Sequence, residues 1–235
     1  QKNKLKHLCL KTFINDRDDV VVVDTSIIMH PRVWEASGHL ESFTDPLVEC
    51  TKCHLRFRSD HVLPKAEAAF WKCPEGGEHT LTEPRQFNTM FKTYLGAAEE
   101  SASIAYLRPE TAQGMFTNFK YVLETTRQKV PFGIGQIGKS FRNEIGLGNW
   151  LFRLREFEIM EIEFFVKPGS DDEWFDQWVT AWEDFYAVCG IAKQNLKRDE
   201  KSKESLAHYS KRTIDMHYKF PHGWDELGGI ANRTD

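Results

Sequence analysis

At 235 residues, 40% hydrophobic and 28% charged, the chain has the make-up of an ordinary globular protein able to bury a sizeable core. A net charge of -4 excludes a protein that coats nucleic acid through bulk positive charge, so any such contact must be local. No apolar run reaches transmembrane length, QKNKLKHLCLK lacks a signal-peptide core, and five cysteines read as reduced thiols, so a cytoplasmic protein without membrane contact is expected.

Leu5, Leu8, Thr12 and Phe13 have helical spacing, and Asn15-Asp16 ends that helix. Four valines between acidic flanks (DDVVVVDTSIIMHP) predict a buried strand, and Pro31 then interrupts pairing. Trp34 to Phe43, with Gly38 in its middle, reads as loop and turn. Residues 1–45 form one segment and 46–84 a Cys-containing insertion. Cys50-x-x-Cys53 places two thiolates at adjacent corners of a zinc tetrahedron, and Cys73-Pro-Glu-Gly76 reads as the second half of a knuckle with Gly76 in place of its last cysteine. His79 is the candidate fourth ligand; the alternative is an unmetallated knuckle whose cysteines simply pack.

Residues 85–235 make the third segment. RQFNTMFKTYLG reads as one strand and Ser103 to Leu107 as another. Pro109 suits the first position of a helix whose apolar face is Ala112, Met115, Phe116, Phe119 and Leu123, with Glu110 in its first turn. The glycines of PFGIGQIG precede no helix and lack a GK[ST] ending, so they permit close backbone packing rather than cradle phosphate.

KSFRNEI, the break GLGNW and LFRLREFEIMEIEFF then predict an antiparallel hairpin. Strand alternation puts Arg142 with Glu144, and Arg153, Arg155, Phe157, Ile159, Glu161 and Glu163 on one face, against Phe152, Leu154, Met160, Ile162 and Phe164 on the other. Arginines around one phenylalanine suit a polyphosphate and a flat base. A solvated face laced with Arg–Glu pairs fits the same spacing. Ser170 to Cys189 predicts a helix with Ser170 as cap, Gly190 as stop and an aromatic stripe of core residues. Asn195 to Ser205 is charged and reads as exposed.

Taken together, LRPETAQGMFTNFK, PFGIGQIGKSFRNEI, FRLREFEIMEIEFF, DTSIIMHPRVWEASGHLESFTDPLVEC and FPHGWDELGGIANRTD resemble, in order and over nearly the whole chain, the homodimeric class II glycyl-tRNA synthetases. FRNE followed by REFE matches the second class II motif. The resemblance implies an α+β core, an antiparallel sheet of six or so strands flanked by helices, that joins glycine to tRNA-Gly through an adenylate. ATP and Mg2+ would be its cofactors. It also implies an ATP site from Arg142, Asn143, Glu144, Phe152, Arg153, Leu154, Arg155, Glu156, Phe157, Glu226 and Leu227, with Arg142 and Arg153 catalytic. A glycine site would come from Arg58, Glu110, Phe157, Glu158, Ile159, Met160 and Glu161.

The chain starts as if in mid-helix, stops without a terminating element and shows no third class II motif or anticodon-binding domain. Alone, it is therefore expected to have little or no activity. Two competing functions are a non-catalytic adenylate- or tRNA-binding relative and a zinc module for nucleic-acid contact.

Overall fold

The computed structural model describes residues 1–62, 73–77, 80–97, 99–100, 103–147 and 151–234. The chain opens with helix α1 (Lys2–Leu10) and a π-helical turn (Lys11–Asn15), then strands β1 (Val20–Val22) and β2 (Ile28–Met29). Two short helices follow, α2 (Pro31–Ala36) and α3 (His39–Ser42), then β3 (Thr44–Glu49), β4 (Arg56–Arg58) and helix α4 (Ser59–Val62). Next come β5 (Arg85–Asn88), β6 (Phe91–Tyr94), β7 (Ile104–Leu107), helix α5 (Ala112–Thr126), β8 (Phe132–Phe141) and β9 (Glu156–Phe165). The chain ends with helix α6 (Asp171–Val188) and strands β10 (Leu196–Glu200), β11 (Ser210–Phe220) and β12 (Gly223–Arg233).

These elements form two compact units, one of Gln1–Val21, Leu123–Gly133 and Phe164–Asp235, the other of Val22–Val122 and Ile134–Glu163. In the first, Phe13 packs its ring 4.5 Å from Trp182 and 5.0 Å from Phe185, and Phe164 lies 4.8 Å from Trp174. Phe175, Trp178, Phe185 and Tyr186 are buried, so the aromatic stripe of α6 is core packing. Ser170 does not cap α6, because its hydroxyl donates to Lys167 O at 2.8 Å; three acidic residues in the first turn face the helix dipole instead. Lys211 and Asn232 hold the Asp171 carboxyl down at about 2. Residues 196–200, read as merely charged and exposed, form edge strand β10 in the antiparallel order β10-β11-β12.

In the second unit β2-β7-β6 and β4-β3-β5 are antiparallel three-stranded sheets. A third sheet, β1-β8-β9, carries the hairpin, whose strands run antiparallel since Arg142 N donates to Arg155 O near the turn while Phe132 meets Phe165 at the far end. Among the described residues the strands thus group in threes rather than in one sheet of six. RQFNTMFKTYLG is two strands, not one. Thr89 N donates to Phe43 O, Thr89 O accepts from Asn143 N, and Asn88 Oδ1 takes the Met90 N–H, which removes these groups from any ladder.

Other expectations also shift. The valine run is buried only at Val20; Val22 is 53% exposed, as suits a strand at a sheet edge. Trp34 to Phe43 is α2 and α3 rather than loop, because Trp34 is fully buried and Gly38, at φ +76, turns the chain between the two helices. Among the described residues no helix is long and apolar enough to cross a membrane.

Gly114 on α5 is a close approach. A Cβ there would stand 2.1 Å from Thr25 Oγ1 and 2.8 Å from Thr25 Cβ. Rotating the hydroxyl relieves the first clash but not the second. Gly114→Ala is therefore expected to cost a net of about 1–2 kcal/mol, overpacking outweighing the helix-propensity gain, as a lower urea midpoint would record.

Candidate active site

The site is built on the hairpin of the second unit. β8 ends at Phe141, and the next three residues leave the ladder in fixed directions. Arg142 lies between two aromatic rings, with its guanidinium carbon 5.3 Å from the Phe43 centroid and 5.3 Å from that of Phe157. Its Nε donates to Pro109 O at 3.2 Å. Asn143 N is bound to Thr89 O at 2.7 Å. Glu144 is buried, and its carboxylate accepts from Arg153 Nη1 at 3.0 Å while its carbonyl accepts from Arg155 Nη2 at 3.1 Å.

The arginine-bearing segment is not part of the strand, as strict alternation from Phe152 would require, since β9 begins only at Glu156. Phe152 is accordingly 45% exposed instead of lying on the core face. Leu154 is half-buried, Arg155 is exposed, and exposed Glu156 pairs with Lys139 across the hairpin. Within β9 the alternation holds: Phe157 meets Arg142, and Glu161 on the same face meets Thr111. Glu158 and Met160 project from the opposite face, so only their backbone can border the site; Ile159 lies between Phe157 and Glu161 on the site face.

Helix α5 starts at Ala112, three residues later than Pro109 suggests. The backbone before it serves the site instead. Pro109 O holds Arg142, Thr111 N donates to Glu161 Oε2 at 2.6 Å, and the Thr111 hydroxyl donates to the same oxygen. Glu110 therefore sits in the turn ahead of the helix rather than in its first turn. Gln113 Nε2 donates to Glu110 Oε1 at 2.7 Å, and His39 Nε2 lies 3.4 Å from that oxygen.

Glu161 feels the charge of Glu110 and both feel Arg142, yet they are pushed in opposite directions. Burial raises Glu161, the charge of Glu110 adds to the rise, and Thr111 and Arg142 offset it only in part. Burial would also raise Glu110, but His39, Gln113 and Arg142 hold it below the ordinary range.

Arg58 is half-enclosed by carboxylates, 2.9 Å from Asp45 and 2.7 Å from Asp60, and feels the charge of Glu144. Glu226 and Leu227 lie on β12, in the first unit, where burial and Asp215 raise the Glu226 carboxyl. Cys50, Cys53 and Cys73 bring their sulfurs within 4.8 Å of one another, an arrangement that could hold a metal ion. His79 lies outside the described residues.

Sequence reading missed three contributors. His39 and Phe43 stand on or beside α3, whose four residues show no periodicity. Arg108 is 1% exposed and donates to Thr25 O at 2.7 Å and Lys139 O at 2.8 Å. It fits because Gly138 has no Cβ, which would stand 2.4 Å from the guanidinium.

The hairpin thus presents arginines and a buried glutamate near the two carboxylates Glu110 and Glu161. Residues 91–235 match the family "tRNA synthetase class II core domain (G, H, P, S and T)", and the chain belongs to that family. Over its whole length it is 50% identical to a protein named glycine–tRNA ligase from Streptomyces coelicolor, covering 54% of that protein. It is also 50% identical to one so named from Treponema denticola (51% covered) and 49% identical to one from Caldanaerobacter subterraneus (56% covered). The chain thus spans about half the length of the curated relatives it matches.

Proposed function

We propose that this chain is the adenylate-forming core of a glycine–tRNA ligase, with residues 46–84 as a thiol-bearing insertion between 1–45 and 85–235. One observation carries the reading: two partly buried carboxylates, Glu110 and Glu161, both feel the charge of one arginine, Arg142. That set matches a small zwitterion, with an ammonium between the carboxylates and a carboxylate directed at the arginine. Glycine has no side chain to grip, so charge contacts and steric exclusion of any Cβ must supply selectivity. Arg58, Phe157 and Ile159 and the backbone at Glu158 and Met160 complete that pocket.

The ionised glycine carboxylate attacks the α-phosphorus of ATP and pyrophosphate leaves, so no general base is needed. Arg142 binds the α-phosphate and stabilises charge developing there. Arg153 leaves Glu144 to reach the β- and γ-phosphates, which frees Glu144 to accept from the adenine amino group over Phe157. Asn143, Phe152, Leu154, Arg155 and Glu156 border the nucleotide; Glu226 and Leu227 are assigned to it by the resemblance alone. Mg2+ would enter with the nucleotide, and Glu144, directed at the adenine amino group, is not assigned to it. When bound, that ion offsets phosphate charge. Zinc is the metal assigned to the thiol cluster. The acceptor is tRNA-Gly, and a cytoplasmic homodimer is expected from the resemblance.

The test is thermal unfolding with non-hydrolysable glycyl-, alanyl- and seryl-adenylate analogues. The glycyl analogue is expected to raise Tm well above the other two. Equal shifts would remove the glycine assignment, and no shift with any analogue would favour a zinc module for nucleic-acid contact with the rest of the chain as scaffold.

A further inference from the structure

We propose that zinc on Cys50, Cys53 and Cys73 staples one end of the β4-β3-β5 sheet and thereby seats Arg58 at the far end of the short strand β4. The three thiols come from three segments that meet at a single place. Cys50 closes β3 and is buried; its N–H donates to Leu55 O at 2.8 Å and its carbonyl accepts from His54 N at 3.0 Å, which forms the turn carrying Cys53. On the other flank Cys50 bridges to Leu81, and Thr82 N donates to Glu49 O at 2.9 Å as the chain approaches β5. Buried Cys73 belongs to this second flank.

The sulfur spacing suits one tetrahedral ion. With zinc–sulfur bonds of about 2.3 Å, the edge of a tetrahedron is about 3.8 Å. The observed separations, from 3.3 Å for Cys53–Cys73 to no more than 4.8 Å, bracket that edge. Gly76 N donates to Cys73 O at 2.9 Å, so Gly76 occupies the knuckle turn without offering a ligand, and a Cβ there would meet nothing within 4 Å. The thiolate set is therefore three, and the fourth corner takes a nitrogen or oxygen donor.

Register transmits the effect. Arg56 pairs with Glu49, Phe57 with Val48 and Arg58 with Leu47, so Arg58 lies two residues from the strand end nearest the stapled turn. A slip of one residue would turn Arg58 to the opposite face, away from Asp45. A metal that joins the turn to the β5 flank removes the chain freedom from which such slips arise.

The proposal rests on the zinc assignment above, and its test separates the two. Zinc content would be measured by mass spectrometry, with Co2+ absorption reporting a tetrahedral site of three thiolates. Amide hydrogen exchange would then be followed in residues 44–58 and 80–88 of the chain as purified, after chelation, after zinc return and in Cys73→Ser. One zinc per chain is expected. Its removal should speed exchange at Cys50, His54 and β4 at least about tenfold, reversibly, with β11 and β12 unchanged. Affinity for the glycyl-adenylate analogue should fall on chelation about as far as in Arg58→Ala, and chelating Arg58→Ala should add little. Absence of zinc, or a Cys53–Cys73 disulfide in its place, overturns the zinc assignment and the staple with it. Bound zinc with unchanged exchange overturns the staple alone, and additive losses with Arg58→Ala overturn the link to Arg58. If the analogue binds nowhere, the ligase reading fails and exchange alone decides the staple.

Discussion

Arg142→Ala is expected to weaken binding of a non-hydrolysable glycyl-adenylate analogue by at least about 100-fold, measured by titration calorimetry. The size follows from how the residue is held. Its backbone N–H donates to Arg155 O at 3.0 Å, its Nε to Pro109 O at 3.2 Å, and its guanidinium carbon lies 5.3 Å from the ring centroids of both Phe43 and Phe157. The terminal Nη pair is left as the fork for ligand oxygens, already oriented before the ligand arrives. Lysine cannot bind bidentately, so Arg142→Lys should recover less than about a tenth of the lost affinity. Each ring contact is worth about 0.5–1 kcal/mol, so the fold should survive either change, as thermal unfolding would verify. A loss below about tenfold in the alanine variant would remove Arg142 as the anion contact.

How far the sequence discloses this fold depends on whether an element's residues are patterned by that element alone. Helix α6 is legible because eighteen residues repeat one aromatic stripe. β9 is legible because alternation fixes its faces whatever packs on them. α2 and α3 are not, with six and four residues around a glycine. They exist because Trp34 is fully buried and His39 and Phe43 pack their rings 5.2 Å apart, contacts that no local spacing encodes. The break between β5 and β6 is equally hidden, since it depends on Thr89 accepting from Asn143, fifty-four positions further along the chain.

The same division runs through the site. Phe157 and Glu161 can be singled out because they lie in a strand whose alternation is its own signal, whereas Arg142 and Glu144 share a parity on paper but follow the end of β8 at Phe141. Glu110 is visible too, but the turn it occupies is not, because Thr111 gives its N–H and hydroxyl to Glu161 rather than to a longer helix. Arg153 and Arg155 follow the alternation of a strand on paper and instead clasp Glu144 from an irregular segment. Charged side chains that bind backbone or carboxylate outside a ladder leave no periodic trace. That is also why Arg108, nearly inaccessible and holding two carbonyls, escapes a reading by pattern.

Glu161→Gln should stabilise the ligand-free protein at pH 8 while weakening its ligand, two effects of one buried charge. Burial first, then Glu110, lifts the Glu161 carboxyl above its ordinary value. A raised folded-state pKa gives stability that is complete below the unfolded-state value and lost as pH rises through the folded one. Ionised Glu161 is thus a net cost to the stability of the empty site. Glutamine keeps a carbonyl oxygen for the Thr111 donors and removes that cost, so urea midpoints should rise at pH 8 and match the parent below pH 4. Glu110 has the opposite sign: its folded value is lowered despite burial, by His39, Gln113 and Arg142, so its contribution is present above the unfolded-state value and lost as pH falls through the folded one. In the proposed site an incoming ammonium would add counter-charge at Glu161 beyond the partial offset from Arg142. Affinity of the unmodified chain for the glycyl-adenylate analogue should therefore decline on acidification at a higher pH than an ordinary carboxylate would set. Glu161→Gln should abolish that step and lower affinity at pH 8 by about 10- to 100-fold. A variant that is less stable at pH 8, with affinity and pH profile unchanged, would mean that Glu161 is a structural partner of Thr111 and that the ammonium lies elsewhere.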